Sequence, residues 1–163
     1  MSELKLHDKS CGLKGHWKLE IYENDTRDKL LKVIEGDNLI VTVGKDLLLD
    51  RLFALSGPPA AVGNVGVGTD STAAAVGQTK LNPSVSGSVL IQTADAGTSR
   101  TAEVVTIVST FGTGVANFSW NELGLFNGNT NGTSTMFNRI APIGPFNKTS
   151  AVSIIVTVTI TQS

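Results

Sequence analysis

Four carboxylates are the residues in the last two thirds of this chain that could carry acid–base chemistry: Asp70, Asp95, Glu103 and Glu122. Two carboxylates held roughly 5–10 Å apart can hydrolyse a glycosidic bond, but no local motif brings any two of these four together. Aromatic residues that could line a sugar cleft are also few. The sequence therefore favours a non-catalytic role for these acids, and it leaves open that two of them meet in the fold.

Glu122 is the most informative of the four, because it lies inside the apolar run WNELGLF (120–126). Alternation along a strand puts Glu122 and Phe126 on one face and Leu125 on the other. Both faces are largely apolar, so we expect this strand to be buried on both sides, where a carboxylate is costly unless it is paired or hydrogen-bonded. The predicted partner is Arg139, in a structural ion pair, and the backbone N–H groups of a turn are the alternative.

Motifs for nucleophilic, metal or phosphate chemistry are not evident. The histidines are His7 and His16, the single cysteine is Cys11, and no spacing ties them into a catalytic triad or a zinc cluster. The glycine-rich stretch 63–72 lacks the lysine of a phosphate-binding loop, and a strand close to another backbone explains it better. We therefore expect no catalytic residue, no metal, no cofactor and no enzyme activity.

Charged residues are concentrated at the start of the chain. Residues 1–53 hold nine of the 13 basic and ten of the 14 acidic residues, and the net charge is −1. This balance gives no general attraction to nucleic acid or to an anionic membrane surface, and no apolar run approaches the ~20 residues that cross a bilayer. The first residues lack the apolar region of a secretory signal, so we expect synthesis in a reducing cytoplasm.

Apolar periodicity predicts an all-β protein: an antiparallel β-sandwich or barrel with one short α-helix and an N-terminal extension. Residues 1–37 are predicted to form an arm and a hairpin-like extension, and residues 38–163 the β-sandwich domain. The clearest strand is AVSIIVTVTITQS (151–163), in which β-branched apolar residues alternate with polar ones.

A short helix is predicted at about residues 45–55. Asp46 lies near its start, where a carboxylate favours the positive end of the helix dipole, and Gly57 followed by two prolines ends it. One face is apolar and is expected to pack over an end of the sandwich. Its members are Leu48, Leu49, Leu52, Phe53 and Leu55.

Two segments are candidates for contact with partners. The Asn/Gly-rich segment after residue 126 tolerates the positive φ angles of hairpin turns, which favours a plain connection and leaves an exposed binding loop as the alternative. Its candidate residues are Asn127, Asn129 and Asn131. The candidate contact residues of the N-terminal arm are Lys5, His7, Lys9, Lys14 and Trp17.

Several segments follow one another in a distinctive order: NLIVTVGKDLLLDRLF (38–53), VGVGTDSTAAA (65–75), ELGLFNG (122–128), MFNR (136–139) and FNK (146–148). Their order and spacing resemble those of small β-rich virion structural proteins of tailed bacteriophages, of the capsid decoration (cement) or tail-fibre type. The resemblance covers roughly residues 38–163, and the preceding residues resemble the N-terminal extension that some of these proteins carry.

The resemblance implies a non-enzymatic β-sandwich that assembles in several copies on a virion after synthesis in the host bacterial cytoplasm. A cement protein would bind the major capsid protein and seal a symmetry axis of the shell, often as a homotrimer. A tail-fibre or baseplate component would instead bind tail proteins and present its Asn/Gly loops to the host. We favour cement, because the chain lacks a long repetitive shaft and its charges are concentrated in one segment. Neither nucleic acid nor a membrane is an expected partner.

Overall fold

The computed structural model describes residues 12–53, 57–82, 84 and 86–162. These residues form one helix and eleven strands, which confirms the predicted all-β class with one short helix. In chain order the elements are β1 (Leu13–Glu23), β2 (Leu30–Ile40), α1 (Thr42–Phe53), β3 (Asn64–Gly68), β4 (Val89–Thr93), β5 (Ser99–Thr101), β6 (Val104–Phe111), β7 (Ser119–Trp120), β8 (Glu122–Phe126), β9 (Met136–Ile140), β10 (Phe146–Asn147) and β11 (Val152–Gln162).

Nine strands form a single curled antiparallel sheet in the order β4-β3-β8-β9-β2-β1-β11-β6-β5, and β7 pairs with β10. The curl brings the β4 end of the sheet back to β6. Gln92 Nε2 on β4 donates to Ser109 Oγ and to Thr110 O, each at 2.8 Å, and Asp95 N donates to Val108 O at 2.7 Å. The architecture is therefore a half-barrel rather than two stacked sheets.

The main core lies inside this curl. Trp17, Leu19 and Ile21 of β1 are buried there beside residues of β11, where Val156 and Ile154 lie opposite Leu19 and Ile21. Burying each large apolar side chain of this kind stabilises the fold by about 1.5–3 kcal/mol. A smaller cluster lies on the other face of β8 and β9, and its buried members are Val41, Leu81, Phe126 and Met136.

The predicted domain boundary between residues 37 and 38 falls inside β2 and has to be corrected. β1 pairs with β11 along its whole length, from Leu13 opposite Gln162 to Glu23 opposite Val152. Alternation identified this segment as a strand, but its charged residues suggested an extension. Those charges occupy the outer face of a strand whose inner face is core, so residues 13–37 belong to the main sheet.

The helix begins earlier than predicted, at Thr42, and its predicted apolar face is not the one that is buried. Gly44 and Leu47 are its buried residues, while Leu48, Leu49, Leu52 and Phe53 are 45%, 53%, 70% and 62% exposed. The reason is the close approach at Gly44, where a Cβ would collide with the backbone of Phe137. This contact turns the leucine-rich face outward. In the part of the chain that the structure describes, no helix has the length and apolar character needed to span a membrane.

Candidate functional site

β8 holds the candidate site and lies between β3 and β9, with all five of its residues buried. As alternation predicts, Leu125 faces the main core and Phe126 faces the smaller cluster. Glu122 lies opposite Gly68 of β3, where a Cβ would collide with the Glu122 carboxylate. The glycine thus leaves room for a fully buried carboxylate, which requires bonding partners at this depth.

The predicted ion pair between Glu122 and Arg139 is present. Arg139 Nε and Nη2 each lie 2.8 Å from Glu122 Oε2, and neither side chain has exposed surface. Arg139 lies on β9 opposite Gly124, so the two side chains project from neighbouring strands onto the same face. Arg139 Nη1 also donates to Thr72 O at 2.9 Å and to Gln78 Oε1 at 2.8 Å.

Backbone amides, the alternative partner considered from the sequence, bind Glu122 as well. Its Oε1 accepts hydrogen bonds from Asn82 N at 2.8 Å and from Asp70 N at 3.3 Å. The Asn82 side chain in turn accepts from Thr69 N and Asp70 N, each at 3.1 Å. We call Glu122, Arg139, Asp70 and Asn82 the Glu122 cluster; it holds both ends of segment 69–82 against β8.

Two carboxylates share one guanidinium in this cluster. Asp70 Oδ2 lies 3.6 Å from Arg139 Nη2, and Asp70 Oδ1 accepts from Thr72 N at 2.9 Å and Thr72 Oγ1 at 2.7 Å. Burial raises the pKa of Glu122 in spite of its hydrogen bonds and Arg139. Burial acts in the same direction on Asp70, but the Thr72 hydrogen bonds and Arg139 outweigh it and hold the pKa of Asp70 below its ordinary value.

Carboxylates whose pKa values are shifted in opposite directions are typical of acid–base catalysis, so access to this pair matters. A surface cavity of about 400 Å³ reaches Arg139 between the outer side of β2 and the segments around Ala73 and Pro142. Neither Glu122 nor Asp70 lines this cavity, and both oxygens of Glu122 are already hydrogen-bonded. The arrangement is suited to holding segment 69–82 in place.

The other late acids lie apart from the cluster. Asp95 Oδ2 accepts a hydrogen bond from Thr110 Oγ1 at 2.7 Å, and Glu103 is exposed at the turn before β6. Of the four carboxylates considered from the sequence, the structure therefore brings together Asp70 and Glu122. The hydrogen bonds from Thr72 to Asp70 could have been predicted from the sequence Asp70-Ser71-Thr72, because an aspartate commonly accepts hydrogen bonds from the residue two positions later.

Lys148 is a buried charged residue outside the Glu122 cluster, and its burial was not predicted from the sequence. Its Nζ donates to Gly112 O at 2.8 Å and to Asn117 Oδ1 at 2.9 Å. Burial lowers the pKa of Lys148, against the opposing charge of Asp25. Asp25 accepts from Thr113 N at 2.9 Å and Thr113 Oγ1 at 2.6 Å. Lys148 and Asp25 thus both form hydrogen bonds to the turn after β6. The local sequence around Lys148 gives no indication of this role.

In the Asn/Gly loop, two of the three candidate residues form hydrogen bonds within the chain. Asn131 Oδ1 accepts from Leu81 N at 2.9 Å, and its Nδ2 donates to Leu81 O at 3.0 Å. Asn127 Oδ1 accepts from Thr135 N at 2.7 Å. Both side chains are half-buried, and only Asn129 of the three predicted residues is exposed. The loop is therefore chiefly a structural connection that also fastens the end of segment 69–82.

The predicted contact residues of the arm divide into three groups. Lys5, His7 and Lys9 lie outside the described residues. Lys14 is exposed on β1, opposite Thr161 of β11. Trp17 is 3% exposed and packs in the main core, so its predicted role as a surface contact is wrong. Across the described ranges, no group of three or more His, Cys, Asp or Glu residues is placed to hold a metal ion.

The exposed side chains of α1 form an apolar surface that we call the helix patch: Leu48, Leu49, Leu52 and Phe53. Beside it lies an apolar cavity of about 280 Å³ whose lining includes Leu47, Leu48, Val62 and Phe137. Leu48 belongs to both features, so the patch continues into the cavity.

Comparisons with known proteins identify no relative of this chain: no family model matches it, and neither does any curated protein or solved structure. The functional assignment therefore depends on the residues, their geometry and the resemblance described above.

Proposed function

We propose that this protein is a structural component of a tailed-bacteriophage virion and acts as a capsid cement protein, binding and stabilising the shell of major capsid protein. The resemblance of residues 38–163 to such proteins supports the class. The observation that carries the proposal is the helix patch, because exposed apolar side chains that lie next to one another often mark interaction sites. In this proposal the Glu122 cluster has no catalytic role and stabilises the body that presents the patch.

The helix patch is held in a fixed orientation. Val41 N donates to Phe137 O at 3.3 Å, and Gly44 packs against the backbone of the same residue. Because α1 rests on a central strand of the sheet, little conformational entropy is lost when its outer face is covered. A preorganised surface of this kind retains more of the roughly 25 cal/mol per Å² that apolar burial contributes.

Charged side chains border the patch and give it a polar rim. Lys45, Asp46, Asp50 and Arg51 are exposed on the same helix, and charged residues at the rim of an apolar contact set orientation more than affinity. Copies that occupy neighbouring sites on a shell and also contact one another would gain further from multivalency. The proposal therefore includes self-association, as a homotrimer or another homo-oligomer.

The test is binding to empty shells assembled from the major capsid protein of the same phage. Replacing Leu52 and Phe53 together by serine should leave the fold intact, because these side chains are mostly exposed, and should weaken shell binding at least tenfold in a co-sedimentation assay. Val76→Ser is the matched control, because Val76 is 52% exposed outside the patch. Unchanged shell binding by the Leu52/Phe53 double variant would overturn the proposal.

The alternative location is a tail fibre or baseplate, and the exposed position of Asn129 is compatible with it. The same assay separates the two locations when purified tails are used beside the shells. Binding to tails with no binding to shells would favour the alternative.

A further inference from the structure

Lys148 and Asn117 place an amine against a side-chain amide. Lys148 directly follows β10, and its backbone N donates to Phe118 O, just before β7, at 3.1 Å. Lys148 Nζ lies 2.9 Å from Asn117 Oδ1, while Asn117 Nδ2 donates to Thr113 O at 2.9 Å. These two contacts fix which end of the amide faces the lysine, because the opposite orientation would turn an N–H group towards the amine.

The Lys148 amine has no anion directly beside it. The residue is 1% exposed, and among the residues that the structure describes it forms no ion pair. A buried ammonium without a carboxylate is costly, so the site favours the neutral amine. Burial accordingly lowers the pKa of Lys148, and the charge of Asp25 opposes this shift from a longer distance. A desolvated, neutral lysine is a nucleophile.

We propose that Lys148 and Asn117 become joined by an isopeptide bond within the chain. Lys148 Nζ attacks Asn117 Cγ, so that the Nζ–Cγ bond forms and the Cγ–Nδ2 bond breaks. The departing nitrogen takes up the two protons that the lysine ammonium gives up, and it leaves as an ammonium ion. Atoms and charge therefore balance without any other reactant.

The position of the two groups supplies most of what this reaction needs. Cγ is bonded to the Oδ1 atom that Lys148 already contacts, so a small rotation of the lysine side chain brings Nζ within the roughly 3–3.5 Å from which a nucleophile attacks. The turn after β6 holds both groups, because Gly112 O accepts from Nζ at 2.8 Å and Thr113 O accepts from the amide. Asn117 is exposed, so the released ammonium can reach solvent.

The bond does for this chain what a disulfide does in other proteins. Cys11 is the single cysteine, so no disulfide can form within the chain. A link between Asn117 and Lys148 closes residues 117–148 into a covalent loop that contains β7, β8, β9 and β10. Closing such a loop restricts the unfolded chain and thereby favours the folded state. The inference concerns the purified chain and does not depend on the proposed function.

The experiment is intact-mass spectrometry of the purified full chain, followed by proteolysis and tandem mass spectrometry of the peptides. We expect a mass lower than that of the sequence by one ammonia, and a branched peptide in which Lys148 is joined to Asn117. Lys148→Arg and Asn117→Ala should each show the full mass of their own sequences. Asn147→Ala is the matched control and should keep the lower mass. Asn147 is exposed beside Lys148, and its side chain contacts Ser119 Oγ at 3.5 Å.

Two outcomes would overturn the inference. One is a wild-type chain with its full sequence mass. The other is a lower mass that persists in Lys148→Arg, since an asparagine followed by glycine, as at Asn127 and Asn131, also loses ammonia when its side chain cyclises onto the backbone. If shells bind a chain that has its full mass, this inference alone is wrong. If the branched peptide is found and shells do not bind, the proposed function is wrong and the inference stands.

Discussion

The β8–β9 region and the β2–α1 region use their distinctive side chains in opposite ways. In the first, two carboxylates, a guanidinium and amide groups are buried and form ion pairs and hydrogen bonds within the chain. In the second, leucines, a valine and a phenylalanine are exposed and contribute little to the core. Substitution in the first region should therefore alter stability and leave association intact, and substitution in the second should do the reverse.

The largest effect on stability is expected at Glu122. Glu122→Gln removes the nearer of the two carboxylates that pair with Arg139 and turns an amide N–H towards the guanidinium, so the buried cation keeps only Asp70, at 3.6 Å, as an anionic partner. Breaking a buried pair in this way costs about 3–5 kcal/mol in the free energy of unfolding, measured by chemical denaturation. Shell binding by whatever fraction stays folded should be unchanged.

Two further variants sharpen this result. Glu35→Gln is the control, because the Glu35 side chain is 61% exposed and its loss should cost less than about 0.5 kcal/mol. Combining Glu122→Gln with Arg139→Met should recover part of the loss, since it removes the cation whose nearer carboxylate is gone. A Glu122→Gln protein as stable as the wild type, or a reproducible enzyme activity that this substitution abolishes, would contradict the structural role.

An intermediate effect is expected in the Asn/Gly loop. Asn131→Ala leaves the N–H and C=O of buried Leu81 without the partners they have in the native protein, and an unsatisfied buried group costs about 1–3 kcal/mol. Asn129→Ala removes an exposed side chain whose one hydrogen bond, to Thr130, is long at 3.4 Å. The difference in melting temperature between the two variants measures how much the hydrogen bonds between Asn131 and Leu81 stabilise the protein. Equal melting temperatures would show that the Asn131 side chain stabilises the protein no more than the exposed Asn129 side chain does.

The smallest effect is a change in pH dependence at Asp70. Because the pKa of Asp70 is lowered in the folded protein, its ionised form adds stability that is present above the ordinary aspartate pKa of 3.8 and lost as pH falls through the folded value. The wild type should therefore exceed Asp70→Asn in stability most at neutral pH, and the gap should narrow below about pH 4. Denaturation curves from pH 6 to pH 3 provide the measurement. If the difference in free energy of unfolding between the wild type and Asp70→Asn stayed constant down to pH 3, ionised Asp70 would not be stabilising the fold.

Several features were predictable because their cause is local. Period-two alternation identified β8 and β11 as strands, and a lone carboxylate in an apolar run called for a partner, of which Arg139 was the nearest basic residue along the predicted hairpin. The cluster was only half predictable, because Asp70 and Asn82 reach Glu122 from 52 and 40 residues away. Separations of that size depend on how loops cross the sheet, which no local pattern encodes.

The failures have equally specific causes. The helix was found from its periodicity, but its orientation depends on the contact between Gly44 and the Phe137 backbone, and that contact exists only after the sheet has formed. Trp17 was assigned to the surface because composition was given more weight than alternation in the charged first section. Lys148 follows a two-residue strand, too short for any periodicity to show which way its side chain points.

The register between β1 and β11 has a practical consequence for anyone who attaches something to this protein. Leu13 and Gln162 are direct partners in the ladder, and opposite Cα atoms in an antiparallel pair lie about 4.5–5.5 Å apart. Peptides fused before the first and after the last strand would emerge side by side at one corner of the molecule. A linker of a few residues could join these positions, and new termini opened near Asn129 would yield a circular permutant with every strand of the sheet uncut.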